Sequence, residues 1–387
     1  MLIRIVLVLL ILLLAMVLVL PFILNIFGFT TLQFGAAGGD KSAARLNPAL
    51  LRSLNGGLDW EDSSVVENPK AAFPARLLAL AFHPTDANFM LLGTKGAGLW
   101  KTKNGGAFWK KVEDKNELIL VNADIQKISF SESEPQILYV AAFQGKRGRL
   151  FKSMDGGESF SESYFVTADG YTINDFYVHH KNPDLVILAT GQGGVLESRN
   201  GGKTWRVVRW FSGAVETLLV NPLDVKEMVV QVSRNSVFKT IDGGQNWTDL
   251  SGAIRTSSVI QPQVPMGTFN PFVGLGVGSS LQVLVADPSH FSTLYVGSSE
   301  GLTRSKDGGF LWTRLNVLLP PEALPITSIA INPRAGETIF IGAGAQLHRS
   351  DDGGINWNVQ IIPTESKVKS LQLHPLQPQI LFAILGK

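Results

Sequence analysis

From residue 49 onward, the apolar residues fall in short runs that are separated by turn-forming residues. The segment 326–350 shows the unit, with an apolar strand, a turn at Asn332-Pro333, a second apolar strand and a third that ends at Ser350. Runs of about four to eight residues bounded by Gly, Pro and Asn are typical of β-strands. The pattern predicts an all-β protein.

The first apolar run differs from all the others. Residues 5–24 carry no polar side chain and follow Arg4. About twenty apolar residues match the thickness of a bilayer, so residues 1–27 are predicted to form a transmembrane anchor and 28–48 a linker. The positive-inside rule then places the rest of the chain outside the cytoplasm. A long signal sequence cleaved after Ala37 is the alternative.

One octet recurs seven times: Ser or Thr, any residue, Asp or Asn, Gly-Gly, two residues, and an aromatic residue. Asp or Asn followed by glycine predicts a hairpin, because the side chain bonds nearby backbone N–H groups while glycine takes left-handed angles. These carboxylates and amides are therefore interpreted as structural: Asn55, Asn104, Asp155, Asn200, Asp242, Asp307 and Asp352. The octet resembles the Asp-box, or BNR repeat, of sialidases, sortilin-type receptors and photosystem II assembly factors.

The octets and the turn prolines count the repeat units. Seven turns contain proline, at Pro84, Pro135, Pro183, Pro222, Pro288, Pro333 and Pro375. Most intervals between octets span 42 to 51 residues, which suits a four-stranded propeller blade. The chain ends on two strands without an octet, and 49–60 supplies the missing half. We therefore predict a seven-bladed β-propeller over 49–387 with the last blade shared by both termini, and an insertion at 254–280.

Composition excludes several classes of function. The chain has no cysteine, so it lacks disulfides and thiol chemistry. Its net charge is +2 and no basic run is interleaved with aromatics, so no nucleic-acid partner is expected. The six histidines show no metal-ligand spacing. No metal and no cofactor are predicted.

The ligand face is predicted to lie opposite the octets. Counting back from the turn prolines gives an apolar column and, beside it, a mixed column at Leu78, Tyr177, Glu216, Gln282, Thr327 and Lys369. Strand alternation places the mixed column on the other side from the core. A second candidate is the basic loop formed by Lys146, Arg147 and Arg149. The alternative for the mixed column is a solvated channel lining, and the alternative for the basic loop is a surface loop without a ligand.

Two functions remain open. The overall pattern resembles the photosystem II assembly and stability factor, which implies a scaffold that holds a protein partner on the face opposite the octets. Sialidases and glucanases with Asp-box propellers imply a glycoside hydrolase instead, which needs two carboxylates or a Tyr with a carboxylate. Its candidates are Glu216, Asp175 and Tyr177, and its partner would be a glycan. The scaffold is the favoured interpretation.

Overall fold

The computed structural model describes residues 48–68, 72–255 and 281–386. This part of the chain forms 28 strands in seven four-stranded antiparallel sheets, so the predicted seven-bladed β-propeller is confirmed. The predicted anchor and residues 28–47 of the linker lie outside the described residues, as do residues 256–280 of the insertion. No helix in the three described ranges is long and apolar enough to cross a membrane.

The first three blades run consecutively along the chain, and each starts with its innermost strand. Blade 1 comprises β3 (Leu77–Phe82), β4 (Met90–Thr94), β5 (Leu99–Thr102) and β6 (Lys110–Lys111). Blade 2 comprises β7 (Asp124–Phe130), β8 (Leu138–Gln144), β9 (Arg147–Ser153) and β10 (Ser161–Phe165). Blade 3 comprises β11 (Ile173–His179), β12 (Asn182–Thr190), β13 (Gly194–Ser198) and β14 (Arg206–Trp210).

The next three blades repeat this order. Blade 4 comprises β15 (Val215–Val220), β16 (Met228–Val232), β17 (Ser236–Thr240) and β18 (Thr248–Asp249). Blade 5 comprises β19 (Leu281–Ala286), β20 (Leu294–Ser298), β21 (Gly301–Ser305) and β22 (Thr313–Leu315). Blade 6 comprises β23 (Ile326–Ile331), β24 (Ile339–Ala343), β25 (Gln346–Ser350) and β26 (Asn358–Ile361).

Blade 7 joins the two ends of the chain. Its inner strands are β27 (Lys367–Leu373) and β28 (Leu381–Gly386), and its outer strands are β1 (Leu50–Ser53) and β2 (Glu61–Asp62). Leu50 pairs with Ile384 and Ser53 with Leu381 in an antiparallel register. The shared last blade predicted from the sequence is therefore confirmed.

The core lies between the blades rather than in one central mass. Seven clusters of buried apolar side chains occur in the described part of the chain, one at each junction of adjacent blades. At the junction of blades 7 and 1, Leu50, Phe382 and Leu92 are almost completely buried together. Burying each such side chain contributes roughly 1.5–3 kcal/mol, so every blade is stabilised by both neighbours.

The octets form the hairpins that join the third and fourth strands of the blades. In all seven, the Ser or Thr Oγ accepts a hydrogen bond from the second glycine N–H at 2.8–3.1 Å. The hydroxyl donates to the Asp or Asn Oδ1, which also accepts from the backbone N–H four residues later, as in Asp307 with Leu311. Both glycines have positive φ, for example +71° at Gly56 and +94° at Gly57.

Each octet is also tied to the proline turn of its own blade. The first glycine N–H donates to a carbonyl just after that turn, for example Gly105 to Asn88 at 3.0 Å and Gly353 to Glu337 at 2.9 Å. The octets and the proline turns therefore lie on one face of the propeller, called the octet face below. The loops that enter each blade lie on the opposite face, as predicted.

The insertion predicted at 254–280 begins inside a short helix. Ser251–Arg255 is helical, and Ile254 is buried in the cluster between blades 4 and 5. Ile254 thus packs as part of the blade connection. Two single 3-10 turns, Ser233–Asn235 and Pro321–Ala323, complete the helical content of the described residues.

Candidate functional site: the channel mouth opposite the octets

Every innermost strand contains a β-bulge at the same level. The antiparallel register skips one residue near the start of each strand, at Leu78, Gln126, Asn174, Glu216, Gln282, Thr327 and Lys369. Since these strands end at the proline turns of the octet face, their starts lie at the opposite face. The bulges, which re-aim side chains next to functional sites in many sheets, therefore ring the channel mouth on that face.

Some bulge side chains connect adjacent blades. Asn174 Nδ2 donates to the Val215 carbonyl at 2.9 Å, and Thr327 Oγ1 donates to the Val368 carbonyl at 2.6 Å. Val215 and Val368 each precede the bulge of the next blade. The two bonds show that a bulge side chain reaches the backbone just before the neighbouring bulge.

This ring corrects the polar column inferred from the prolines. Five of its members, Leu78, Glu216, Gln282, Thr327 and Lys369, do lie at bulges, but Tyr177 does not. In blade 3 the proline comes later in the connection: Pro183 lies inside β12, five residues after Val178, whereas Pro84 follows Phe82 of blade 1 by two residues. Counting back from that proline is therefore wrong by three residues, and Asn174 takes the place given to Tyr177.

Tyr177 lies farther along the channel, toward the octet face. Its ring packs with the cluster between blades 3 and 4 and lies edge-on to His179 at 6.4 Å. Burial, together with the nearby Glu132 carboxylate, raises the pKa of Tyr177 to about 12. A Tyr nucleophile needs the opposite shift. The structure therefore separates Tyr177 from the bulge ring and disfavours its ionisation.

The seven inner strands, all within the described ranges, carry three carboxylates. Asp175 is 7% exposed and accepts hydrogen bonds from the backbone N–H groups of Phe176 and Leu218, each at 2.8 Å. It also forms an ion pair with Lys127 of the preceding blade. Asp124 accepts from Gly96 N–H at 2.8 Å. Both side chains connect neighbouring blades.

Glu216 is the third of these carboxylates. It lies on the bulge of blade 4, is exposed, and forms no ion pair with any residue that the structure describes. Lys369, on the bulge of blade 7, is exposed as well, and Gln282 is half-buried. The mouth therefore presents an unpaired carboxylate, an unpaired ammonium group and amides to whatever enters it.

The basic loop of blade 2 is largely neutralised. Arg147 Nε lies 2.5 Å from Asp169 Oδ1, and Arg149 pairs with Glu162 while its guanidinium lies over the Phe165 ring. Lys146 occupies a left-handed turn position, with φ of +67°. Of the three cations singled out from the sequence, Lys146 is the one without a carboxylate partner among the described residues.

One cavity was missed by the sequence interpretation. A cavity of about 500 Å³ opens on the octet face between the inner ends of blades 1, 2 and 7, lined by Ala81, Phe82, Pro84, Ile128, Ser129, Phe130, Glu132 and Pro375. Phe82 and Phe130 each end an inner strand, and this pair of aromatic residues is a sequence signal that could have indicated the cavity. Within the described ranges, no three His, Asp or Glu side chains group as metal ligands would.

The fold and channel define the chain as a seven-bladed β-propeller, and solved structures share this fold. The GH74 enzyme of Niastella koreensis matches with a TM-score of 0.60 and 18% identity over 80% of this chain and 51% of the enzyme. YCF48 bound to D1 peptide matches with a TM-score of 0.58 and 17% identity over 81% of this chain and 94% of that protein. YCF48 from Cyanidioschyzon merolae matches with a TM-score of 0.56 and 14% identity over 80% of this chain and 95% of that protein.

This chain therefore spans about half the length of the GH74 enzyme but nearly all of YCF48. At these identities the likeness shows the fold. No protein-family model matches the sequence, and no curated protein matches it.

Proposed function

We propose that the chain is a scaffold protein that binds a segment of a partner protein at the channel mouth opposite the octets. The observation that carries this proposal is the use of the inner-strand carboxylates. Asp124 and Asp175 are committed to hydrogen bonds between blades, which leaves Glu216 as the one carboxylate of the described inner strands without such a bond. Glycoside hydrolysis needs a pair of carboxylates on either side of the scissile bond.

The likeness to YCF48 supports the same function. It extends over almost the whole of that protein, one structure of which contains a bound D1 peptide. A propeller mouth with bulge side chains of mixed polarity suits an extended segment, because backbone amides and charged side chains can both find partners there. The partner of this chain is a protein whose exposed segment reaches this mouth.

The site of action follows from the amino-terminal sequence. Residues 5–24 would anchor the chain in a membrane, with the propeller outside the cytoplasm. A scaffold held this way meets membrane proteins at high local concentration, because tethering makes the encounter nearly intramolecular. We therefore place the function in the assembly of a membrane or envelope complex.

Site-specific photo-crosslinking tests the proposal. A benzophenone amino acid replaces Leu78 at the mouth in the full-length protein, and a matched variant carries it at the exposed Leu311 of an octet. We expect a discrete protein adduct from membranes with the Leu78 variant alone. Adducts from Leu311 alone, or from neither position, would overturn it. So would turnover of glycosides, including xyloglucan, that Glu216→Gln abolishes.

A further inference from the structure

A second feature of the mouth is a group of basic side chains where blade 7 meets blade 1. Arg76, Lys95, Lys367 and Lys369 are all exposed, and none forms an ion pair with a described residue. We call these four residues the basic sector. Elsewhere in the described part of the propeller, eleven Lys and Arg side chains each pair with a carboxylate, as Arg52 does with Glu61.

Backbone pairing places the four residues in two adjacent pairs. Lys95 N–H donates to the Arg76 carbonyl at 2.9 Å, so these two residues are neighbours at the entrance of blade 1. On blade 7, Lys367 pairs with Gly386, and the Lys369 stem lies along the same glycine. A Cβ at position 386 would lie 3.1 Å from Lys369 Cγ and Cε, so glycine leaves room for this stem.

The bulge geometry brings the two pairs together. Asn174 and Thr327 both reach the residue before the next bulge, Val215 and Val368 respectively. Lys369 holds the same position in blade 7, and the corresponding residue of blade 1 is Leu77, which directly follows Arg76. Leu77 packs with Ile384 across this junction. The four cations therefore form one arc of the channel mouth.

The carboxylates near this arc neutralise only part of its positive charge. Asp124 lies beside Lys95 but accepts a hydrogen bond from Gly96 N–H. Glu365 is exposed and lies two residues before Lys367. Four cations minus two carboxylates leave an excess of two positive charges on this side. Glu216 lies on blade 4 of the same ring, which gives the mouth opposite charges on different blades.

We propose that the basic sector binds an acidic segment of the partner protein, so that Asp and Glu side chains of that segment pair with Arg76, Lys95, Lys367 and Lys369. This inference rests on the proposed function and adds the chemistry of the partner. Unpaired cations at the rim of an open channel attract an acidic chain over about one Debye length and fix its direction. Glu216 then repels acidic residues from the blade 4 side.

Fluorescence anisotropy on the full-length protein in neutral detergent tests the inference. The probes are a short labelled peptide of alternating Glu and Gly, and the same peptide with Gln in place of Glu. We expect the Glu peptide to bind and the Gln peptide to bind far more weakly. Lys367→Glu with Lys369→Glu should weaken binding about tenfold, since each exposed pair contributes a modest attraction that reversal turns into repulsion. Added salt should weaken it as well.

The matched control is Lys203→Glu with Lys306→Glu, which changes the net charge equally at exposed octet positions. This variant should bind within twofold of the unmodified protein. Equal weakening by both variants, equal binding of both peptides, or no binding at millimolar peptide overturns the inference. Preference for inorganic polyphosphate over the Glu peptide overturns it too. If crosslinking from Leu78 still captures a partner while the sector variant binds it normally, the inference fails and the proposed function stands.

Discussion

The Ser or Thr that begins each octet holds the hairpin together through its side-chain hydroxyl. Ser305 is 1% exposed, and its Oγ accepts from Gly309 N–H at 2.8 Å while it donates to Asp307 at 2.8 Å. Asp307 uses Oδ1 for all its bonds to Ser305, Phe310 and Leu311. An amide oxygen can accept the same bonds, which explains why three of the octets carry Asn at this position.

This division of roles gives a prediction for one octet. Ser305→Ala should lower the free energy of unfolding by about 1–2 kcal/mol, because it leaves the buried Gly309 N–H without an acceptor. Asp307→Asn is the matched change and should be nearly neutral at pH 7. Urea unfolding followed by tryptophan fluorescence measures both. A larger loss from the Asn variant than from the Ala variant would contradict the assigned roles.

Individual residues also show where sequence reasoning succeeds and where it fails. The octets were recognisable because Gly-Gly after Asp or Asn has a local cause, the positive φ at both glycines. Tyr177 was misplaced because its column was counted from a proline, and the position of that proline relative to the strand pairing differs between blades 1 and 3. The commitments of Asp175 to Lys127 and Leu218 could not be predicted either, since they join blades about 43 to 48 residues apart.

At the scale of the blade, a cation directly before the octet donates to the first-glycine carbonyl of the next octet at four of the seven positions, which all lie in the described residues. Six of the seven positions carry Lys or Arg and one carries Glu: Arg52, Lys101, Lys152, Glu197, Lys239, Arg304 and Arg349. Arg304 Nη1 donates to the Gly353 carbonyl of the next blade at 2.5 Å, and Lys239 Nζ donates likewise to Gly308 at 3.2 Å. Glu197 instead pairs with Arg199 and Arg206 of its own blade.

Removing one such bond should weaken one junction. Arg304→Ala should cost about 1.5 kcal/mol of unfolding free energy, because a hydrogen bond from a charged donor to a half-buried carbonyl is lost. Lys306→Ala, two residues away and exposed, serves as the control and should change it by less than about 0.5 kcal/mol. Thermal unfolding of both variants provides the measurement. Equal stability of the two would show that the bond between blades contributes nothing.

The bulge ring is an element-scale feature that the sequence did not predict. A β-bulge inserts one residue and needs no particular residue type. The seven bulge residues therefore vary in polarity, from the apolar Leu78 to the charged Lys369. The repeat spacing nevertheless predicted the inner strands themselves, because apolar runs, prolines and octets recur in a fixed order. The positions of the strands could therefore be predicted from the repeat pattern. The exact pairing register could not, because it depends on contacts between strands.

For the whole propeller, closure of the ring depends on blade 7, which joins the first and last of the described strands. Blade 7 is built from both termini, so its stability depends on pairing between β1 and β28 and on the junction with blade 1. His374 reaches across that junction. Its Nε2 lies 3.0 Å from the Ala87 carbonyl of blade 1, and its Nδ1 accepts from the N–H groups of Leu376 and Gln377.

These contacts require neutral His374, which donates from Nε2 and accepts at Nδ1. Burial lowers the pKa of His374 below its ordinary 6.5. The folded state therefore binds fewer protons than the unfolded chain, and stability from this group is complete above pH 6.5 and falls as the pH drops through the folded pKa. We expect acid to weaken ring closure in this window, before the octet carboxylates titrate, since the pKa of Asp352 lies at about 2.

His374→Asn separates the turn from the closure, because Asn332 already caps the same turn of blade 6 through its Oδ1 and Arg334 N–H at 2.9 Å. The variant should keep the turn but lose the bond to Ala87, which should lower the free energy of unfolding by about 1 kcal/mol at pH 7.5. The decrease in that free energy between pH 7.5 and pH 5 should also be smaller than in the unmodified protein. Thermal unfolding across this pH range measures it, with His348→Asn inside blade 6 as the comparison. Since His348 is also buried with a lowered pKa, hydrogen exchange at the β1–β28 pairing decides which histidine governs closure. Acid-induced exchange there that persists unchanged in His374→Asn would contradict the assignment.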